Sequence, residues 1–146
     1  ILKVLAYDPY AKSMPALCER AETLTGLLSR SDVISLHCPL TDENRGMINS
    51  EALAHCKRNA ILVNTARGGL IHSESLLAAL RDGTLHSAAL DSFTQEPLTA
   101  PHLWQSVENV VISPHIGGVT DASYIKMGTV AAGNILAVTD ATTVSS

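Results

Sequence analysis

Five short apolar runs rich in Val, Ile and Leu recur along the chain, at Leu2–Tyr7, Val33–His37, Ala60–Asn64, Ser87–Leu90 and Val110–Ser113. Their starts lie 31, 27, 27 and 23 residues apart, the repeat length of a strand–helix–strand unit. Runs this short, apolar at odd and even positions alike, predict strands of a parallel sheet covered by helices on both faces. The segments between them carry helix signatures. Ser50-Glu51-Ala52-Leu53 offers a capping serine ahead of good helix formers. Ser73 to Gly83 has a capping serine, an early Glu74, a late Arg81 and a glycine at the stop, which suits the helix dipole at both ends. Ala122, Ile125, Val130, Ile135 and Val138 recur at loosely helical spacing and predict a closing helix from about Asp121 to Val138. Residues 95–106 hold two prolines and little periodicity, which predicts a loop anchored by its leucines and Trp104.

Composition narrows the class. The 146 residues amount to one domain, and 46% hydrophobic content with 16% charged residues supports a sizeable core and excludes disorder. Net charge is -4, and no basic run exceeds the pair Lys57-Arg58, so nucleic acid and anionic membranes are not expected partners. No apolar stretch approaches the roughly 18 to 20 residues of a membrane span. Cys18, Cys38 and Cys56 are odd in number and scattered, which fits reduced thiols in a cytoplasmic protein. His55, His72, His86 and His102 show no ligand-like spacing to cysteine, so no metal is expected.

Candidate chemistry gathers where the strands end. Asp8 follows the first run and precedes Pro9; an acid there in a doubly wound sheet grips an adenosine ribose and disfavours a 2′-phosphate. The Gly-x-Gly-x-x-Gly loop that belongs about 20 residues upstream is missing, since only seven residues precede Asp8. The expectation is a Rossmann-type α/β sheet, doubly wound and parallel, incomplete at its N-terminus by the first strand and the Gly-rich loop. In the strand order 3-2-1-4-5-6 that absence leaves Leu2–Tyr7 and Ser87–Leu90 bordering a gap. Arg67 follows the third run with Gly68 and Gly69 behind it, where a guanidinium can bind a small carboxylate through two parallel hydrogen bonds. Asp91 and Glu96 follow the fourth run and His115 the fifth. A histidine with a carboxylate partner is general acid/base chemistry. Singly, each residue also fits a bland role: a turn acid for Asp8, a helix cap for Arg67, a solvated Glu96, a core His115. Their joint placement on one rim, where open α/β sheets bind ligands, favours the site.

Asp8-Pro9, His37-Cys38-Pro39-Leu40-Thr41, Asn64-Thr65-Ala66-Arg67-Gly68-Gly69, Ala89-Leu90-Asp91-x-Phe93-x-x-Glu96-Pro97 and Ser113-Pro114-His115-Ile116-Gly117-Gly118 together resemble the D-isomer-specific 2-hydroxyacid dehydrogenases, the family of phosphoglycerate, glycerate and hydroxypyruvate oxidoreductases. The resemblance runs from Ile1 to about Val138. It implies that Arg67 holds the substrate carboxylate, that His115 is the acid/base and that Glu96 pairs its ring. It implies an NAD site in which Asp8 binds the adenosine ribose and Asp91 the nicotinamide carboxamide. Cys38, Thr65, Ala66, Arg67, His115, Gly117 and Gly118 would line that cofactor. Ser92 stands where the family usually has an apolar residue. The implied whole is a homodimeric, two-lobed dehydrogenase, with residues 1–146 as part of its dinucleotide-binding domain and the substrate lobe outside this chain. An NAD-sensing, corepressor-like protein of the same fold, without significant turnover, is the alternative.

Overall fold

The computed structural model describes residues 2–143 and the side chains of residues 2–139. Six strands run parallel in two ladders. β1 (Val4–Ala6) pairs with β2 (Cys18–Arg20), and β3 (Val33–Leu36), β4 (Ile61–Asn64), β5 (Ser87–Leu90) and β6 (Val110–Ile112) follow in that order. Between them lie helices α1 (Leu24–Arg30), α2 (Ser50–Ala54) and α3 (Ser73–Asp82), and after β6 comes α4 (Asp121–Thr143).

The register sets the core. Ile34, Leu62 and Ala88 stand level across three strands, as do Leu36, Asn64 and Leu90. All six are buried, and the five apolar ones join Leu28 of α1, Leu53 of α2 and Leu76 and Leu80 of α3 in one cluster. Burial alternates along the strands, however, and Val33, Ile61 and Val111 are exposed. The expected burial of both faces holds for one face in the described residues, because α1, α2 and α3 all contribute to the single cluster.

Two elements were not predicted. β2 reads Cys-Glu-Arg and has no apolar run, so only its pairing with β1 makes it a strand, extended by the Ala21 N–H to the Ala6 carbonyl at 2.8 Å. α1 carries Gly26 in its first turn, which weakens its pattern, yet Thr23 caps it by accepting from Gly26 N at 3.0 Å. The unseen β2 also shifted the strand count, so the expected gap is misplaced. Ser87–Leu90 is an interior strand paired on both sides, and the long ladder ends instead at β3.

Helix starts move by one residue. Asn49 rather than Ser50 caps α2, accepting from Ala52 N at 3.0 Å, and His72 precedes α3 with its Nδ1 2.8 Å from Ser75 Oγ. Gly83 ends α3 in the left-handed region, φ 74°, as its position predicts. In the predicted loop, Leu103–Ser106 form one 3-10 turn that buries Trp104.

The chain expected to be one domain divides into two compact units, Ile1–His115 and Ile116–Ser146, at a point where Pro114 and two glycines interrupt regular structure. In the second unit Thr120 and Ser123 exchange side-chain-to-backbone bonds of 3.0 and 3.1 Å ahead of α4. That helix continues past the predicted Val138 to Thr143.

Candidate active site

Parallel pairing delivers the carboxyl ends of β3 to β6 to one rim, and the loops leaving that rim carry the polar residues. At the end of β4 the side chain of Asn64 is fully buried and folds the next three residues. Its Oδ1 accepts from Ala66 N at 3.0 Å and its Nδ2 donates to the Arg67 carbonyl at 2.9 Å. The exposed Arg67 side chain donates through Nη1 to the Ala66 carbonyl at 2.7 Å. Gly68 then turns inward, so close to the next loop that a Cβ there would stand 2.0 Å from the Phe93 carbonyl carbon. No residue but glycine lets these two backbones meet.

β5 is followed by Asp91, a residue 6% exposed whose N–H donates to the Asn64 carbonyl at 2.9 Å and whose carboxylate accepts from Ser113 Oγ at 2.5 Å. Strand ends β4, β5 and β6 are thereby tied laterally. Beyond Asp91, Glu96 folds back so that Oε1 accepts from Phe93 N at 2.8 Å while Oε2 lies 2.8 Å from His115 Nδ1. The Phe93 N–H first, and then the bond from His115, hold the Glu96 carboxyl below its ordinary 4.5; the positive fields of His115 and Arg67 act the same way. His115 adopts φ 57°, a left-handed conformation uncommon for residues with a side chain. A cleft of about 240 Å³ opens beside the pair, lined by Phe93, Glu96, Leu98, His102, Ile112 and His115 among others.

Of the expected catalytic residues, Glu96 and His115 are in contact, and Arg67, in the same compact unit, is near enough for its charge to act on Glu96. Of the cofactor residues, Asp8 lies at the end of β1, where Oδ1 accepts from Tyr10 N at 2.9 Å and Ala11 N at 3.2 Å. Cys38 is half-buried past β3, its sulfur 3.9 Å from Asn44 Nδ2, and Thr65 and Ala66 sit in the Asn64 turn. Gly117 and Gly118 belong to the second unit, in which the Gly118 carbonyl accepts from Ser123 Oγ at 2.6 Å. Asn64 and Phe93 were missed as positioning residues. A polar residue closing an apolar run was the signal for Asn64, whereas a backbone N–H such as that of Phe93 has no sequence signature. Among the described residues no three His, Cys, Asp or Glu side chains converge as a metal site, and no helix is long and apolar enough to cross a membrane.

This is a sheet rim of the dinucleotide-binding type carrying an arginine and a histidine–glutamate pair. The model of the D-isomer specific 2-hydroxyacid dehydrogenase family, NAD binding domain, matches residues 2–117. The (S)-sulfolactate dehydrogenase of Chromohalobacter salexigens is 42% identical over 137 residues, covering 92% of this chain and 44% of that protein. A D-isomer specific 2-hydroxyacid dehydrogenase of Lactobacillus delbrueckii ssp. bulgaricus, solved in NAD-complexed form, superposes with a TM-score of 0.84 at 30% identity, over 94% of this chain and 46% of that one. One from Xanthobacter autotrophicus Py2, solved with NADPH and MES, gives 0.73 at 35% identity, over 78% and 37%. The chain belongs to the D-isomer specific 2-hydroxyacid dehydrogenase family, as its NAD-binding domain. It spans less than half the length of these relatives.

Proposed function

We propose that this chain is the NAD-binding half of an oxidoreductase that interconverts a small D-2-hydroxy acid and its 2-oxo acid. The observation that carries the reading is the pair His115 Nδ1 and Glu96 Oε2, 2.8 Å apart, with the other Glu96 oxygen fixed by Phe93 N–H. A carboxylate held on Nδ1 sets the ring orientation, keeps a proton on that nitrogen and leaves Nε2 to exchange one with a substrate hydroxyl. Arg67, exposed next to this pair, binds the substrate carboxylate and orients C2, and its charge draws electron density from the carbonyl. Holding the reacting groups in register contributes up to about 7 to 11 kcal/mol in ideal cases.

The donor set fits a dinucleotide. Asp8 spends one oxygen on its own turn and keeps the other for the ribose hydroxyls, and buried Asp91 offers acceptors to a carboxamide. When bound, NAD supplies the hydride acceptor for C2. Cys38, Thr65 and Ala66 complete the lining in this reading, which extends to a homodimeric cytoplasmic enzyme. The test is NADH oxidation by the full-length chain with glyoxylate, hydroxypyruvate, pyruvate and sulfopyruvate as acceptors. Turnover lost in His115→Ala supports the reading, whereas NADH binding without turnover on any 2-oxo acid favours the sensor alternative.

A further inference from the structure

Beside Asp8 a tyrosine spans two loops that leave different ladders. Tyr10 N donates to Asp8 Oδ1 at 2.9 Å, and 33 residues further along, Glu43 Oε2 accepts from Tyr10 Oη at 2.9 Å. The loop bearing Glu43 is itself closed: Thr41 N donates to Asn44 Oδ1 and Asn44 Nδ2 to the Pro39 carbonyl, both at 2.8 Å. Two carboxylates therefore stand one tyrosine apart where β1 and β3 end.

Two of the cations near these loops are held in place, Arg20 by backbone carbonyls and Arg45 by Asp42. Arg20, which follows Asp8 by 12 residues and escaped notice in the sequence, donates to the Asp8 carbonyl at 3.4 Å and the Ala11 carbonyl at 2.5 Å. Arg45 lies on Asp42 at 3.3 Å.

On the reading that this rim binds a dinucleotide, we propose that Glu43, placed by Tyr10, is a second determinant of cofactor choice and disfavours a 2′-phosphate alongside Asp8. A 2′-phosphate adds close to two negative charges, and a carboxylate within about a Debye length, some 8 Å at physiological salt, repels it. The uncharged ribose diol feels no such field. Tyr10 is a positioning residue here. Its hydroxyl carries no charge, and its bond to Glu43 fixes where that charge sits. The bond to Glu43, and then its field, also raise the Tyr10 pKa, which keeps the phenol protonated as donor.

The experiment is calorimetric titration of the full-length chain with NADH and with NADPH at low salt, for the parent and for Glu43→Gln and Tyr10→Phe. Both side chains are exposed, so neither substitution disturbs the core. Glu43→Gln is expected to tighten NADPH about fivefold while NADH stays within about twofold, and added salt should erase the difference. Tyr10→Phe should move the ratio the same way by less. An unchanged NADPH-to-NADH ratio in Glu43→Gln, with NADH still bound, overturns this proposal and leaves the dehydrogenase reading standing. A parent chain that binds neither nucleotide overturns both.

Discussion

His115 reaches to within 2.8 Å of Glu96 from a left-handed backbone, φ 57°. Such a conformation costs on the order of 1 kcal/mol or more, and here the surrounding bonds hold it. The His115 N–H donates to the Ser113 carbonyl at 3.0 Å, and Ser113 is itself held by Asp91. The ring is aimed by its backbone as well as by its partner.

Replacing His115 separates these two contributions. Asparagine tolerates the left-handed region better than alanine, so His115→Asn should keep stability within about 0.5 kcal/mol and His115→Ala should lose more. Both should lower kcat by about 10² to 10⁴, with a far smaller effect on NADH affinity. Urea unfolding together with steady-state kinetics checks this, and a His115→Asn variant with parental kcat would remove His115 from the chemistry.

The pH dependence follows from Glu96. Its carboxyl titrates below its ordinary 4.5 in the folded chain, so the charged form is favoured by folding. The stabilisation is present above about pH 4.5 and is lost as pH falls through the lower folded value. Urea midpoints measured from pH 6 down to pH 3 should therefore fall less steeply in Glu96→Gln than in the parent. The same variant should lower kcat at neutral pH, since a neutral amide gives less support to a protonated ring.

Gly68→Ala should be among the most damaging single-methyl changes. The added Cβ meets Phe93 backbone atoms at 2.0 and 2.4 Å, and neither loop can yield without moving the N–H that holds Glu96. A loss of about 1 to 3 kcal/mol is expected, with a fall in kcat beyond what unfolding explains. Gly128→Ala, with nothing within 4 Å of its Cβ, is the steric control.

Arg67→Lys keeps the charge and loses the planar fork. A hydrogen bond to a charged group contributes about 1.5 to 3 kcal/mol, so kcat/KM for the 2-oxo acid should fall by roughly 10- to 100-fold while NADH binding is retained. An unchanged kcat/KM would show that the carboxylate is bound elsewhere.

Ser92 points the other way. Its hydroxyl is buried without a hydrogen-bond partner, at the position where an apolar residue was expected. Ser92→Ala removes that desolvated oxygen and should raise stability by about 1 kcal/mol without touching turnover. A lower melting temperature would mean that an ordered water satisfies the serine.

Strands and rim were readable because β3 to β6 are apolar runs whose ends fall beside Arg67, Asp91, Glu96 and His115. What escaped was tertiary in origin. Cys18-Glu19-Arg20 extends only against β1, and Arg20 comes to the Asp8 turn only through that pairing. The far border of the gap was expected at β5, whereas the long ladder ends at β3. Phe93 holds Glu96 through its main chain, which no side-chain pattern announces.

Among the described residues the two sheets have four edge strands, β1, β2, β3 and β6. β3 reads Val-Ile-Ser-Leu, with no charge or proline, and its Val33 is 59% exposed. A neutral, branched edge of this kind is a template along which another extended segment can pair.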